Sequence, residues 1–217
     1  MPKFSACLEL IVSHNPCYTP LMAAKQNPSG KKRPTHRNSV PTQYVEIVDE
    51  NNAPLCILGL EDAQRQTLRH RAVLVLLYDE AGKLYLRKRP ASSPIFPGRW
   101  DIFASSCVQM NEAAEEAALR LLNDELHLYM AGVRFVHETP ACPATGFSFV
   151  SLFSAGRVSS HAIKNSVPQT QAIMTVDRDE LRALATEFRD QLTPALVHLW
   201  ELNMLFPKKT RQAPKEH

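Results

Sequence analysis

Long apolar runs are absent from this chain of 217 residues. No stretch approaches the roughly 18 consecutive apolar residues that a membrane-spanning helix needs. Near the start, the segment from Leu8 to Val12 is too short for the apolar centre of a secretory signal, and the acidic Glu9 interrupts it. We therefore expect neither a membrane span nor a secretory signal, and we expect a cytoplasmic location.

Paired cysteines are also missing. The five cysteines are scattered, odd in number, and never form a Cys-x-x-Cys pair. Structural zinc sites and disulfide frameworks both depend on characteristic cysteine spacings. The sequence therefore predicts neither, and its cysteine usage is typical of a reducing compartment.

The middle of the chain has no excess of basic residues, although the net charge of the whole is +3. Residues 1–42 hold six basic residues and one acidic residue, and residues 207–217 hold four and one. Residues 43–206 therefore keep 15 basic and 20 acidic residues, a net charge of about −5. Because a nucleic-acid-binding domain normally shows the opposite balance, we expect no specific nucleic-acid partner.

The two ends of the chain differ in composition from its middle. Residues 1–42 are basic, and they are predicted to form a disordered arm. Met22 opens the segment MAAKQNPSGKKRPTHRNSVP, and we expect translation to start there, which would make 1–21 a mis-assigned extension. A single domain is expected over 43–206, followed by a disordered basic tail over 207–217.

Apolar periodicity between residues 43 and 206 predicts a mixed α/β fold. Strands are predicted at 44–48, 55–60, 72–78, 83–89, 133–138, 147–155 and 172–176. Helices are predicted at 112–126, 178–189 and 194–205, a short helix or turn at 61–68, and a loop at 156–170. The helix at 112–126 is the clearest, because alanine, leucine and glutamate dominate it, and Asn111 is its expected N-cap.

The most specific pattern in the chain lies in residues 96–128, FPGRWDIFASSCVQMNEAAEEAALRLLNDELHL. Glu112, Arg120, Asp124 and Glu125 stand at the spacing Gly-x5-Glu-x7-Arg-Glu-U-x-Glu-Glu-x-Gly-U, where U is a bulky aliphatic residue. This spacing resembles the Nudix box, the signature of a family of diphosphate hydrolases.

Two shorter strings narrow the resemblance. RHRA at 69–72 precedes the first long strand, and FPGRWD at 96–101 precedes the box. With the leading segment 44–60, this layout is similar to the Nudix branch that contains isopentenyl-diphosphate isomerase and its bacterial relatives. The resemblance implies an α/β/α sandwich with a mixed sheet, a small N-terminal β-hairpin, and a box folded as loop–helix–loop. A homodimer is a further expectation.

The resemblance also implies a chemistry, in which Mg²⁺ or Mn²⁺ held by box carboxylates neutralises phosphate charge and activates water. It assigns metal binding to Glu112, Glu116, Asp124 and Glu125, and catalysis to Asp124 and Glu125. Arg120 would be a structural brace, with Glu116 as its candidate partner one helical turn earlier. Contacts with a small diphosphate-containing ligand are expected from Arg87, Arg89, Arg99 and Trp100.

The box departs from the family pattern at several positions. Leu121 replaces the glutamate that follows the arginine, and on an α-helix of about 100° per residue it lies between positions 124 and 125 on one face. Leucine cannot ligate a metal. Ser106 and His127 replace the first and last glycines, and Asn111 also stands where this loop usually has glycine. Asparagine tolerates the left-handed conformation better than most residues, so we expect the loop to form.

Two functions remain open on this pattern. The first is a Nudix-type hydrolase with altered metal chemistry, and the second is a non-catalytic Nudix-fold protein that binds a ligand or regulates through it. Where many relatives supply another acid, residues 167–176 contain none, and Gln169 or Gln171 stands there instead. An amide cannot take a proton from water at neutral pH, and this favours weak or absent hydrolysis.

Isomerase activity is the least favoured alternative. The catalytic cysteine of that branch falls on Ser105, and two of its metal-binding histidines fall on Cys107 and Ala63. His70 alone matches a third histidine. We therefore expect His70 and Cys107 to have structural roles.

Overall fold

The computed structural model of the protein describes residues 43–93 and 95–206. The predicted arm over 1–42, the start at Met22 and the tail over 207–217 lie outside the described residues. Within the described ranges, no helix is long and apolar enough to cross a membrane.

Nine strands, five α-helices and three shorter helical segments form the described part of the chain. The strands are β1 (Tyr44–Val48), β2 (Pro54–Gly59), β3 (His70–Tyr78), β4 (Leu84–Lys88), β5 (Trp100–Ile102), β6 (Ala104–Cys107), β7 (Arg134–Thr139), β8 (Ser148–Arg157) and β9 (Ile173–Val176). The α-helices are α1 (Leu60–Arg65), α2 (Ala114–Arg120), α3 (Ser160–Asn165), α4 (Arg178–Glu187) and α5 (Pro194–Glu201). The shorter segments are a π-helical turn (Leu121–Glu125), which continues α2, and 3₁₀ turns at Pro143–Thr145 and Arg189–Gln191.

Seven of the strands form one mixed sheet, and the other two form a separate hairpin. The central path of the sheet runs β5-β4-β3-β8-β7, while β6 pairs with β3 and β9 pairs with β4. The pair β3–β8 is parallel, and the remaining pairs are antiparallel. The hairpin β1–β2 is antiparallel. The predicted mixed sheet and N-terminal hairpin are therefore confirmed.

Strand β3 separates two hydrophobic cores because its side chains alternate between the faces of the sheet. Val73, Val75 and Leu77 belong to the first core, which also contains the buried residues of α2. Leu74 and Leu76 belong to the second core, which contains buried residues of α4 and α5. The result is the predicted α/β/α sandwich, with the box helix on the first face and the C-terminal helices on the second.

The hairpin rests on the main sheet through a small third cluster and a few polar contacts. Val45, Ile47 and Ala63 are buried together, and Cys107 packs against them. The Val48 N–H donates to the Arg69 carbonyl at 2.9 Å. The hairpin therefore contacts the strand that leads into the box.

Several predicted boundaries are wrong. The helix expected over 112–126 begins at Ala114 and changes to π geometry at Leu121. The loop expected over 156–170 contains α3, whose N-cap Ser159 accepts from the Ala162 N–H at 3.2 Å. The helix expected over 194–205 ends at Glu201. Strands β5 and β6 were not predicted, because β5 has only 3 residues and β6 has small side chains without apolar alternation.

Candidate functional site

Arg120, at the end of α2, is the centre of the candidate site. Its guanidinium donates to both carboxylate oxygens of Glu112, with Nε–Oε1 at 2.6 Å and Nη2–Oε2 at 3.0 Å. Nη2 also donates to the Cys107 carbonyl at 3.0 Å, and Nη1 pairs with Glu125. Through these contacts Arg120 ties the loop before α2 to the turn after it.

Glu112 is held on both of its oxygens. Besides the Arg120 pair, its Oε2 accepts from the Gln109 N–H at 2.8 Å. Burial raises the pKa of Glu112, but the hydrogen bonds from Arg120 and Gln109 outweigh this effect and the net pKa is lowered. The hydrogen bond to Glu112 raises the pKa of Arg120 in turn. The two groups therefore form a charged pair, and both carboxylate oxygens of Glu112 accept hydrogen bonds from within the protein.

Glu116 does not pair with Arg120, contrary to the prediction. Its Oε2 accepts from the Ala113 N–H at 2.9 Å, which places the carboxylate at the N-terminal end of α2. A helix start leaves backbone N–H groups without intrahelical partners, and a glutamate in the first turn satisfies one of them. Because α2 begins two residues later than predicted, Glu116 lies in the first turn rather than on a central face. Asn111 is likewise not the N-cap, which is Ala113.

Leu121 does not lie on an exposed face between Asp124 and Glu125, as the α-helical projection predicted. It is 2% exposed and belongs to the first hydrophobic core. The Leu126 N–H donates to the Leu121 carbonyl at 3.0 Å, an i to i+5 bond. Such a bond places an extra residue in the turn, so the positions after Leu121 no longer follow the α-helical projection.

Two of the four predicted metal ligands, Glu112 and Glu125, meet at the Arg120 guanidinium, and the other two have different surroundings. Asp124 is exposed, Glu116 is at the helix start, and Glu112 is bound on both oxygens by protein donors. Glu125 accepts from Ser106 Oγ at 3.2 Å as well as pairing with Arg120. Among residues 43–93 and 95–206, no three or more histidine, cysteine or acidic side chains are arranged to hold a metal ion. In this arrangement the carboxylates of Glu112 and Glu125 are engaged by Arg120 rather than grouped around a common centre.

The three positions where the family pattern has glycine differ in backbone conformation. Asn111 has φ 61° and His127 has φ 53°, so both adopt the left-handed conformation that glycine would allow at low cost. Ser106 instead lies in β6, where it pairs with Val73 of β3. The predicted formation of the loop is confirmed, and strain is concentrated at its two left-handed positions.

Arg87 lies closest to this network among the predicted ligand-binding cations. Its Nη2 donates to Ser105 Oγ at 2.9 Å. Burial lowers the pKa of Arg87, and the charges of Asp101 and Glu125 oppose this effect. The guanidinium therefore stays charged, next to the polar side chains of β6 and within electrostatic range of Glu125.

Arg89 has a different environment, in which all three guanidinium nitrogens meet protein acceptors. They donate to the Ile95 carbonyl at 2.9 Å, to Asp101 Oδ2 at 2.9 Å and to Ser93 Oγ at 3.1 Å. Asp101 is buried and also accepts from Thr193 Oγ1 at 2.8 Å. Arg89 thus organises the loop between β4 and β5, and this explains its position without a ligand.

The remaining predicted contacts lie on the opposite side of the sheet from α2. Trp100 packs partly buried against the second core, with the Lys88 ammonium 5.9 Å from its ring centre. Arg99 stacks over Phe96 and donates to the Leu192 carbonyl at 3.4 Å. Arg87 is therefore the one member of the predicted ligand-binding set that the structure brings to the box.

The positions that match the isomerase branch have structural contacts. His70 is buried, with Nδ1 2.8 Å from the Leu68 carbonyl and Nε2 3.2 Å from Ser148 Oγ. Burial lowers its pKa, so the neutral ring is favoured. Burial raises the pKa of the Cys107 thiol to about 11. Downstream, Gln171 donates through its side-chain amide to the Lys88 carbonyl.

Two contacts of the site escaped the sequence analysis. Ser106 was considered only as a lost glycine, yet its hydroxyl donates to Glu125. The backbone N–H of Gln109 was not considered at all, yet it holds Glu112. Neither has a side-chain signature in the sequence, because both depend on the pairing of β6 with β3 and on the turn that follows it.

Comparison with known proteins agrees with this architecture. The NUDIX domain model matches residues 68–196, more than half of the chain. The uncharacterized Nudix hydrolase YfcD of Shigella flexneri is 29% identical over 170 residues, covering 76% of this chain and 89% of the relative. An uncharacterized Nudix hydrolase of Yersinia pestis is 30% identical over 164 residues, covering 73% of this chain and 85% of the relative.

A solved structure shows the same fold. The crystal structure of DR0079 from Deinococcus radiodurans superposes with a TM-score of 0.59 at 20% identity, covering 74% of this chain and 98% of that one. At this identity the likeness concerns the fold alone. The box spacing, the mixed sheet between two helical layers and the match to the domain model lead to one conclusion: the chain belongs to the Nudix family.

Proposed function

We propose that this Nudix-family protein binds a small diphosphate-containing ligand near its box and does not hydrolyse it by a metal-dependent route. The observation that carries the proposal is the arrangement of Arg120. Its guanidinium occupies both oxygens of Glu112 and pairs with Glu125, while Leu121 is in the core. The acidic groups that a Nudix enzyme uses for metal binding thus serve here to hold the loop.

The ligand-binding half of the proposal rests on Arg87. Among the described residues, the Arg87 guanidinium donates to the Ser105 hydroxyl through one of its five N–H groups, so donors remain for a phosphate. Arginine matches phosphate oxygens with paired N–H groups, and burial strengthens such contacts. Arg89, by contrast, already uses each of its three nitrogens in a contact with a protein acceptor, which holds its guanidinium in the loop.

Calorimetry followed by an activity panel tests this proposal. We expect pyrophosphate or ADP to bind without a divalent ion, and Arg87→Gln to weaken that binding by about tenfold, as loss of a charged hydrogen bond predicts. Arg65→Gln is the matched control, because Arg65 is exposed and paired with Asp62 on α1. Binding that Arg87→Gln leaves unchanged would contradict the proposal.

A metal-dependent hydrolase is the second candidate, and Asp124 favours it. Its carboxylate is exposed next to Glu125 at the end of the box helix, and the relatives are named as hydrolases. This candidate predicts diphosphate cleavage that requires Mg²⁺ or Mn²⁺ and disappears in Glu125→Gln. The non-catalytic proposal predicts no cleavage with either ion.

A further inference from the structure

A cleft on the second face of the sheet lies apart from the box. Its volume is about 830 Å³, within the range of small-molecule sites. Leu76 and Val136 line it with apolar surface, and Met204 and Phe206 from the segment after α5 also contribute. None of the box residues Glu112, Arg120 or Glu125 is among its lining residues.

Strand register places two arginines on this face. Arg134 of β7 pairs with Ser154 of β8, and Ser154 pairs with Leu76 of β3. Side chains of directly paired residues point to the same face of a sheet. Arg134 therefore shares the face of Leu76, which belongs to the second core.

A bulge in β8 brings the second arginine to the same face. The register shifts between Leu76 and Leu77, so that Tyr78 pairs with Arg157 rather than with Gly156. Gly156 has φ 82°, a conformation that glycine adopts at low cost. Without the extra residue, the alternation of the strand would place Arg157 on the opposite face. The bulge therefore places a second guanidinium in the cleft.

The cleft is positively charged in a domain that is acidic overall. Arg134 and Arg157 both line it, and none of the described residues that line it is acidic. Within the described part of the chain, neither guanidinium makes a side-chain hydrogen bond or ion pair. The nearby acids are engaged elsewhere, because Asp79 accepts from the Lys83 N–H and Glu80 from Ser160.

Tyr78 of β3 holds the segment 203–206, which lines one side of the cleft, by a hydrogen bond. Tyr78 donates its hydroxyl to the Leu205 carbonyl at 2.8 Å, and its ring lies 6.5 Å from that of Phe206. Burial raises the pKa of Tyr78 to about 12, although the charge of Arg134 opposes this, so the hydroxyl remains a donor. The segment 203–206 is therefore held against the sheet, and the apolar surface beneath the arginines is preformed.

We propose that this cleft binds a phosphate monoester with an apolar or aromatic body. Arg134 and Arg157 would bind the phosphate, since guanidinium groups match phosphate oxygens in charge and geometry. The body of the ligand would cover Leu76, Val136 and Phe206. This site is independent of the one near the box, because the two share no residue.

Calorimetric titration of the full-length protein with phenyl phosphate tests the proposal. We expect saturable binding tighter than about 10 mM, and at least tenfold weaker binding of inorganic phosphate, which lacks the apolar body. Arg134→Gln and Arg157→Gln should each weaken phenyl phosphate binding at least tenfold. Both residues are exposed on strands, so the variants should fold, as circular dichroism would verify.

The matched control is Arg182→Gln, which removes an exposed arginine that pairs with Asp179 on α4 and does not line the cleft. Its affinity for phenyl phosphate should equal that of the wild type. The proposal is overturned if phenyl phosphate does not bind, if inorganic phosphate binds as tightly, or if the two cleft variants bind as the control does.

Discussion

At the scale of single residues, the site is determined by Arg120 and Leu121, which are adjacent in sequence and face opposite environments. Arg120 gathers Glu112, Glu125 and the Cys107 carbonyl, whereas Leu121 enters the core. In the family pattern a carboxylate stands at position 121. Here position 121 is buried in the core. The chain therefore differs from the family pattern in the environment of this position as well as in the missing carboxylate.

This placement predicts that Leu121→Glu does not restore a metal site. A carboxylate at a position 2% exposed would be buried without a partner, and the free energy of unfolding should fall by about 3 kcal/mol. Urea denaturation measures this loss, and calorimetry with Mg²⁺ should show no new binding. Leu121→Met, which conserves volume, should cost less than about 1.5 kcal/mol. Tight Mg²⁺ binding by a stable Leu121→Glu protein would show that position 121 reaches solvent.

The Glu112–Arg120 pair predicts a pH dependence. Because the pKa of Glu112 is lowered in the folded protein, its stabilising effect is complete above the unfolded pKa of about 4.3 and is lost as pH falls through the folded pKa. Glu112→Gln should therefore cost about 2 kcal/mol of unfolding free energy at pH 7, and progressively less below about pH 4. Denaturant titrations at several pH values measure the difference.

Glu115→Gln is the control for this pH series. Glu115 is exposed in the first turn of α2, so its substitution should change stability by only a few tenths of a kcal/mol at any pH. If Glu112→Gln showed the same small and pH-independent effect, the pair would contribute little to folding.

At the scale of elements, the box helix is shorter than its sequence suggested and ends in a left-handed residue. His127 follows the π turn with φ 53°, where the family pattern has glycine. A non-glycine residue in this conformation costs roughly 1–2 kcal/mol, and glycine loses part of that advantage through its greater unfolded entropy. His127→Gly should therefore raise stability by about 0.5–1 kcal/mol, measured as a higher thermal midpoint.

Position 129 provides the comparison for His127. Tyr129 is 82% exposed and is not among the left-handed residues, so Tyr129→Gly should be neutral or slightly destabilising. A midpoint that falls in His127→Gly would mean that the imidazole makes a stabilising contact that outweighs the backbone strain.

The same elements show what the sequence can and cannot predict. Strand β3 was predictable because its run of valine and leucine is buried on both faces. The left-handed positions at Asn111 and His127 were predictable from the glycines they replace. The π turn was not, since one extra residue in a helical turn leaves no mark on apolar periodicity. The partner of Arg120 was mispredicted for a different reason: α2 begins only at Ala114, so Glu116 lies in its first turn, where its carboxylate accepts from the Ala113 N–H.

At the scale of the whole molecule, the hairpin β1–β2 contacts the residues that lead into the box, so the stability of the hairpin affects the box. The Met110 N–H, in the loop before α2, donates to the Tyr44 carbonyl at 3.0 Å. Cys107, whose carbonyl accepts from Arg120, packs beneath the hairpin with Val45 and Ile47. The hairpin has only a small buried cluster of its own, so we expect it to open before the main sheet does.

Cys107 reports that opening, because it is only partly exposed and the burial of its thiol raises the pKa to about 11. Thiolate is the reactive form, so labelling by a maleimide should require the hairpin to move away. Val45→Ala removes buried apolar surface and should cost one to two kcal/mol of hairpin stability, which raises the population of the open form about 5–30-fold. The labelling rate of Cys107, followed by peptide mass mapping, should increase by the same factor.

Val197→Ala separates this local effect from general destabilisation. Val197 belongs to α5 and is buried in the second core, on the other side of the sheet from the box helix. Its substitution should lower global stability while leaving the labelling rate of Cys107 close to that of the wild type, as long as labelling proceeds through hairpin opening. Equal acceleration in both variants would instead show that Cys107 becomes accessible only when the whole domain unfolds, and that the hairpin and the main sheet form a single cooperative unit.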